Sequence, residues 1–239
     1  KYLDLTAGGT SFNLLGSGIK VVHEAIAHQL TKFEHLDCKT YFDENRESLA
    51  EKLLFGLDCG LQESHRVFFS GGSGAEAIEM AMHLSYQHHV ESGNSTKTWF
   101  LSRNQSYHGA TSGALSVGER PNLEFYRPLQ APQRTRVSEC NYIKNRLDGE
   151  TEEEYTARLL NEFEKTIIEI GPENISAFVG ETMLGGLVGD VPPTKHYWKG
   201  MSSICKKYNI HLILDEVWCG TGSSGRYHCF EHDGIVPDF

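Results

Sequence analysis

The chain has 239 residues, with 22 Lys and Arg against 32 Asp and Glu, a formal charge of −10. That balance excludes a basic nucleic-acid binder and a polybasic membrane contact, and a hydrophobic fraction of 39% argues against global disorder. No apolar run approaches the ~18 residues that cross a bilayer. Six cysteines (Cys38, Cys59, Cys140, Cys205, Cys219 and Cys229) form no Cys-x-x-Cys pair or zinc clip. They read as free thiols of a reducing, cytoplasmic compartment. His88-His89, near the end of a helical stretch, reads as a solvated polar face, and no metal site is expected.

In chain order, Tyr2 to Leu5 reads as a short strand. Gly8-Gly9 and Gly16-Ser17-Gly18 bracket a loop, and Ile19 to Phe33 has helical spacing through Val22, Ile26 and Leu30. A further helix is expected over Ser48 to Leu57. From there short apolar runs alternate with helix-period segments, the pattern of a parallel α/β sheet. The expected strands are Val67 to Phe69, Thr98 to Leu101, Ile175 to Gly180 and Ile210 to Asp215, each apolar enough to be buried on both faces. Ala75 to Val90 is a helix with Ile78, Met82 and Tyr86 on one stripe. Glu150 to Ile170 is another: Thr151-x-x-Glu154 forms its capping box, Tyr155, Leu159, Phe163 and Ile167 its apolar face, and Gly171-Pro172 its stop. The organisation expected is residues 1–45 in a small N-terminal lobe and 46–239 in a larger sheet domain.

The most informative stretch runs from Arg66 to Glu79, Arg-Val-Phe-Phe-Ser-Gly-Gly-Ser-Gly-Ala-Glu-Ala-Ile-Glu. A Gly-rich turn entering a helix presents unpaired backbone N–H groups to an anion, for which a phosphate is suited. Gly74 leaves room for that approach, and Glu76 is expected to point away from it. The pattern is neither a Walker loop nor a dinucleotide fingerprint. Ser106-Tyr-His-Gly-Ala-Thr111 then supplies a flat ring and a titratable group on a strand-end loop. Two further strands end in carboxylates, Glu181 in one and Asp215-Glu216 in the other. Strand ends of such sheets face the ligand crevice, so one of these acids is expected to hold a cationic ring nitrogen or a metal.

The order of these motifs, continued by Asp215-Glu-Val217, Gly220-x-Gly222-x-x-Gly225 and Phe230-Glu-His-Asp-Gly-x-Val-Pro-Asp238, resembles the class III aminotransferases, pyridoxal-phosphate enzymes of fold type I. Tyr2 to Gly9 resembles their first strand and loop, and Tyr41-Phe-Asp-Glu-Asn45 their entry to the large domain, so the likeness covers the whole chain. The fold it implies is α/β: the three-layer, mainly parallel sheet of the fold type I large domain, with part of a small N-terminal lobe. By resemblance Ser73, Gly74 and Ala75 hold the cofactor phosphate, and Tyr107 stacks on the pyridine ring with His108 and Gly109 shaping its loop. Asp215 pairs with the ring nitrogen, Val217 packs on the opposite ring face, and Glu181 lines the site.

The implied cofactor is pyridoxal 5'-phosphate, the implied assembly a homodimer, and the implied substrates an amine or amino acid and a keto acid or aldehyde. Decarboxylating, mutase and phospho-lyase members share these motifs, and a non-catalytic fragment of the fold is a further alternative. Three positions depart from the family: Gly16-Ser17-Gly18 replaces Gly-His, Thr182 replaces Pro, and Trp218 replaces the usual Gln or Met. The family's Schiff-base lysine, which follows the last motif, is expected beyond Phe239.

Overall fold

The computed structural model describes residues 2, 3, 5, 13–38, 40–55 and 65–239. The chain divides into two compact units, Lys1–Phe68 and Phe69–Phe239. Within the first, α1 (Lys20–Leu30) and α2 (Glu44–Phe55) are helices, and Asn45 Nδ2 donates to Gln29 Oε1 at 3.2 Å. α2 begins four residues before the expected Ser48 because Asp43 precedes it, its Oδ1 accepting from Asn45 N at 3.0 Å in the manner of an N-cap. Of the expected strand Tyr2 to Leu5, the described residues Tyr2, Leu3 and Leu5 carry no regular structure. Gly8, Gly9, Leu57 and Cys59 lie outside the described residues.

The second unit builds the sheet. Its elements in order are α3 (Gly74–Glu91), β1 (Trp99–Arg103), α4 (Ser112–Val117), a 3-10 helix (Pro121–Leu129), β2 (Arg134–Val137), α5 (Tyr142–Asn145), α6 (Glu152–Ile170), β3 (Ile175–Glu181), α7 (Tyr197–Lys207) and β4 (His211–Asp215). The four strands run parallel in the order β2-β1-β3-β4, with Glu181 in register with Asp215. Successive side chains of a strand point to opposite faces, and β3 sorts its own accordingly. Ala177 and Val179 pack with Ile78 and Met82 of α3 and Ala114 and Val117 of α4. Phe178 instead meets Phe163 of α6 and Trp198 of α7, ring centroids 5.1 and 6.3 Å away. Helices therefore cover both faces, giving three layers, and each buried side chain such as Ile78 or Phe163 contributes roughly 1.5–3 kcal/mol.

Several sequence readings hold and several do not. The capping box at Thr151 forms with both halves present, and Gly171, with φ 90°, ends α6 as only glycine does readily. Val67 to Phe69 is not a strand: residues 65–70 have no regular structure, and Phe68 and Phe69 are exposed. An apolar run becomes a strand only beside a ladder partner, and none pairs with it among the described residues. β2 and α4 were not expected. The buried face of α3 runs Ile78, Met82, Ser85, His89, while Tyr86 is exposed.

His89 therefore corrects the solvated reading. It is fully buried, its Nε2 lies 3.0 Å from Ser176 O, and its ring stacks on His211 with centroids 4.1 Å apart. Burial pushes both rings below the usual histidine range, His211 to about 4. At the far edge, Leu214 N donates to Phe239 O at 3.0 Å and Asp238 N to Leu212 O at 2.9 Å, so the 238–239 segment lies along β4.

Candidate active site

The carboxyl ends of β1, β3 and β4 bring the expected residues together. Ser73 is the N-cap of α3, its Oγ accepting from Glu76 N at 3.3 Å. Glu76 does not point away. Its Oε2 accepts from Gly72 N and from the Ser73 hydroxyl, each at 3.0 Å, because a carboxylate at the third helical position satisfies orphan donors of the turn. Gly74 and Ala75 sit at the first two helical positions, whose N–H groups have no intrahelical acceptor.

Two glycines set the width of the site. A Cβ on Gly74 would stand 2.7 Å from Val217 Cγ2, so the valine side chain closes directly over the helix start. Val217 is nonetheless 63% exposed, leaving its other face open. Gly109 adopts φ 126°, and a Cβ there would come 2.9 Å from Ala75 Cα. The Tyr-His-Gly loop thus packs its backbone onto the first turn of α3, which requires glycine on both steric and conformational grounds.

His108 and Asp215 form the centre. His108 Nδ1 lies 2.8 Å from Asp215 Oδ2, with both side chains buried, and Asp215 Oδ1 accepts from Val217 N at 3.0 Å. One aspartate so fixes both the imidazole and the turn that carries Val217. Tyr107 is partly exposed, and the Arg120 guanidinium sits 4.7 Å from its ring centroid. Glu181 is buried beside Asp215, its Oε2 having no hydrogen-bond partner, and burial pushes its carboxyl above the usual range. Trp218 turns toward the loop after β3: Cβ atoms built on Gly185 and Gly186 would lie 3.1 and 3.2 Å from its ring.

Arg103 escaped the sequence reading. It ends β1 fully buried, donates from Nη2 to Glu181 O, and lies 5.1 Å from the Trp198 ring centroid. Its signal was an arginine closing an otherwise apolar strand. Held by a carbonyl and an aromatic face, it fixes the end of β3 from which Glu181 projects.

The class III aminotransferase family matches residues 1–239. The chain belongs to that family. It is 37% identical over 242 residues to an aminotransferase of Gibberella zeae, covering all of this chain and 47% of the relative. It is 35% identical over 243 residues to a mitochondrial gamma-aminobutyrate transaminase of Oryza sativa, again covering all of this chain and 45% of the relative. Among solved structures, the omega transaminase of Pseudomonas jessenii in complex with PMP shares 31% identity and a TM-score of 0.91 over 99% of this chain and 51% of that one. The α/β fold with its parallel sheet is the fold of such transaminases, and the chain spans about half the length of the curated relatives it matches.

Proposed function

We propose that the protein is a pyridoxal-phosphate-dependent aminotransferase that moves an amino group between an amine or amino acid and a keto acid or aldehyde. The observation that carries this is the buried His108–Asp215 pair at the end of β4, set beside a glycine turn where the Gly74 and Ala75 N–H groups have no intrahelical acceptor. The residues fit the cofactor. Ser73, Gly74 and Ala75 would hold its phosphate, Tyr107 and Val217 would face its two ring surfaces, and Asp215 would pair with the ring nitrogen. Glu181, with a buried oxygen that has no partner, would line the substrate side.

Bound there, the cofactor supplies an electron sink for the bond broken at the substrate's amine-bearing carbon. Asp215 would keep a proton on the ring nitrogen, and His108, its Nδ1 2.8 Å from Oδ2, holds that carboxylate in place. Val217 and Tyr107 would hold the ring between them and so orient the substrate for bond cleavage. Burial of the histidine and aspartate excludes water that would weaken that electrostatic contact.

Residues 1–45 belong, in this reading, to the small domain and 46–239 to the cofactor-binding domain. The active assembly is a homodimer: Phe125 and Leu129 of the 3-10 helix are largely exposed, apolar surface that a second subunit would cover. Buried thiols without disulfides at Cys140 and Cys205 accord with a cytoplasmic setting. The test is amino transfer by the full-length protein loaded with pyridoxal phosphate, measured as keto acid consumed against several amine donors. Release of carbon dioxide or phosphate without amino transfer would overturn the reading.

A further inference from the structure

Behind Val217, the turn leaving β4 carries a second group of reactive side chains. Cys219 and Cys229 lie side by side with their sulfurs within 4.8 Å of one another. Glu216 stands beside them, but its oxygens accept from Cys229 N and Phe230 N, each at 2.8 Å. The carboxylate is thereby held by two backbone N–H groups, with His228 Nδ1 also 3.6 Å from its Oε2.

The two cysteines differ in access. Cys219 is fully buried. Cys229 lines a cavity of about 630 Å³ whose wall also includes Met183, Lys195, His196, Lys199 and His232. Of the two cysteines, Cys229 is the one that a small solute entering this cavity can meet. The neighbouring Cys219 draws the Cys229 thiol below its ordinary range, while Cys219 is pushed up by Cys229 and by its own burial. The other described cysteines lack this arrangement. Cys140 and Cys205 are buried and pushed up by desolvation, and Cys38 is exposed.

We propose that Cys229 and Cys219 form a peroxide-reactive dithiol, with Cys229 as the attacking sulfur and Cys219 as the resolving one. The Cys229 thiolate attacks one oxygen of hydrogen peroxide, the O–O bond breaks, and the departing hydroxide takes a proton to become water. Cys229 is then a sulfenic acid. The Cys219 sulfur attacks the Cys229 sulfur, the S–O bond breaks, and the hydroxide leaves with the Cys219 proton as a second water. Two thiols lose two electrons to one peroxide. Closing the sulfurs to the ~2.05 Å of a disulfide needs side-chain rotation at both residues. The bond ties the turn carrying Val217 to the 3-10 helix Cys229–Asp233.

The test is peptide mapping by mass spectrometry under non-reducing conditions, on the full-length protein loaded with pyridoxal phosphate and exposed to hydrogen peroxide. The expected product is a Cys219–Cys229 linked peptide pair, lighter by two hydrogen atoms and restored by dithiothreitol. Cys229 should be consumed about tenfold faster than Cys140 or Cys205. In Cys219→Ser, Cys229 should accumulate as a dimedone-reactive sulfenic acid; in Cys229→Ser, Cys219 should stay reduced. Oxidation of Cys38 while the pair in the wild-type protein stays reduced would overturn the proposal. Dimedone labelling of Cys219 in place of Cys229 would overturn the assigned roles.

Discussion

The two ends of the parallel sheet use the same residue types in opposite ways. At the carboxyl ends, His108 meets Asp215, Glu181 keeps an oxygen without a partner, and glycines hold the turn and loop close together. At the amino ends, His211 Nδ1 meets Ser85 Oγ at 2.8 Å, Ser85 meets Ser176 Oγ at 2.8 Å, and Lys97 Nζ donates to the carbonyls of Pro172 and Ile175. The first set leaves buried polar atoms, Glu181 Oε2 and His108 Nε2, without a protein partner. The second spends most of its capacity internally and closes the base of the sheet. Residue type therefore does not separate a site from a structural network; the balance of satisfied and unsatisfied atoms does.

The largest expected effect is at the site end. Asp215→Asn in the full-length protein removes the charge proposed to pair with the ring nitrogen, and turnover should fall by about 10²-fold or more while cofactor absorbance persists. Steady-state amino transfer checks this, and an unchanged rate would break the electron-sink account. Gly109→Ala comes next. It places a Cβ against Ala75 at φ 126°, and urea unfolding should show a loss of about 1–3 kcal/mol together with weaker cofactor binding.

Smaller effects sharpen the contrast. Glu76→Gln removes a negative charge held at Gly72 N and Ser73 Oγ. Helix stability should fall by about 0.3–1 kcal/mol while phosphate affinity, read by titration with inorganic phosphate, rises.

The two ends should also titrate in opposite directions. Burial lowers His89 and His211 in the folded protein, amid His88, Lys97 and Asp238. The unfolded chain therefore binds more protons below pH 6.5, and the stability these rings contribute is lost as pH falls from 6.5 toward about 4. Glu181 is raised, so its contribution is full below about pH 4.5 and is lost as pH rises through its folded value. Denaturation curves against pH should show His211→Gln blunting the acid loss, and Glu181→Gln gaining relative stability at neutral pH.

Much of the site end was legible because its residues sit at the boundaries between apolar runs and turns. Glu181 and Asp215 close strands, Ser73 caps a helix, and Gly74 and Gly109 stand where backbones must approach. The amino end was opaque. His89 belongs to the stripe Ile78, Met82, Ser85, His89, but a polar pair at a helix end reads as solvated until a strand is laid beneath it. β2, Arg134-Thr-Arg-Val137, carries two arginines and gains its strand identity only from parallel pairing with β1, a contact across some thirty residues that no local pattern encodes. Val67 to Phe69 fails for the converse reason, an apolar run without a partner. Arg103 was hidden because a buried cation is recognised only through its carbonyl and aromatic partners.

The central claim is that Asp215 holds a proton on the cofactor ring nitrogen at the carboxyl end of β4. Nitrogen-15 resonance of ring-labelled pyridoxal phosphate in the full-length protein reports that proton directly. The account predicts a protonated ring nitrogen in the wild-type protein and an unprotonated one in Asp215→Ala. The same protonated resonance in both proteins would contradict it.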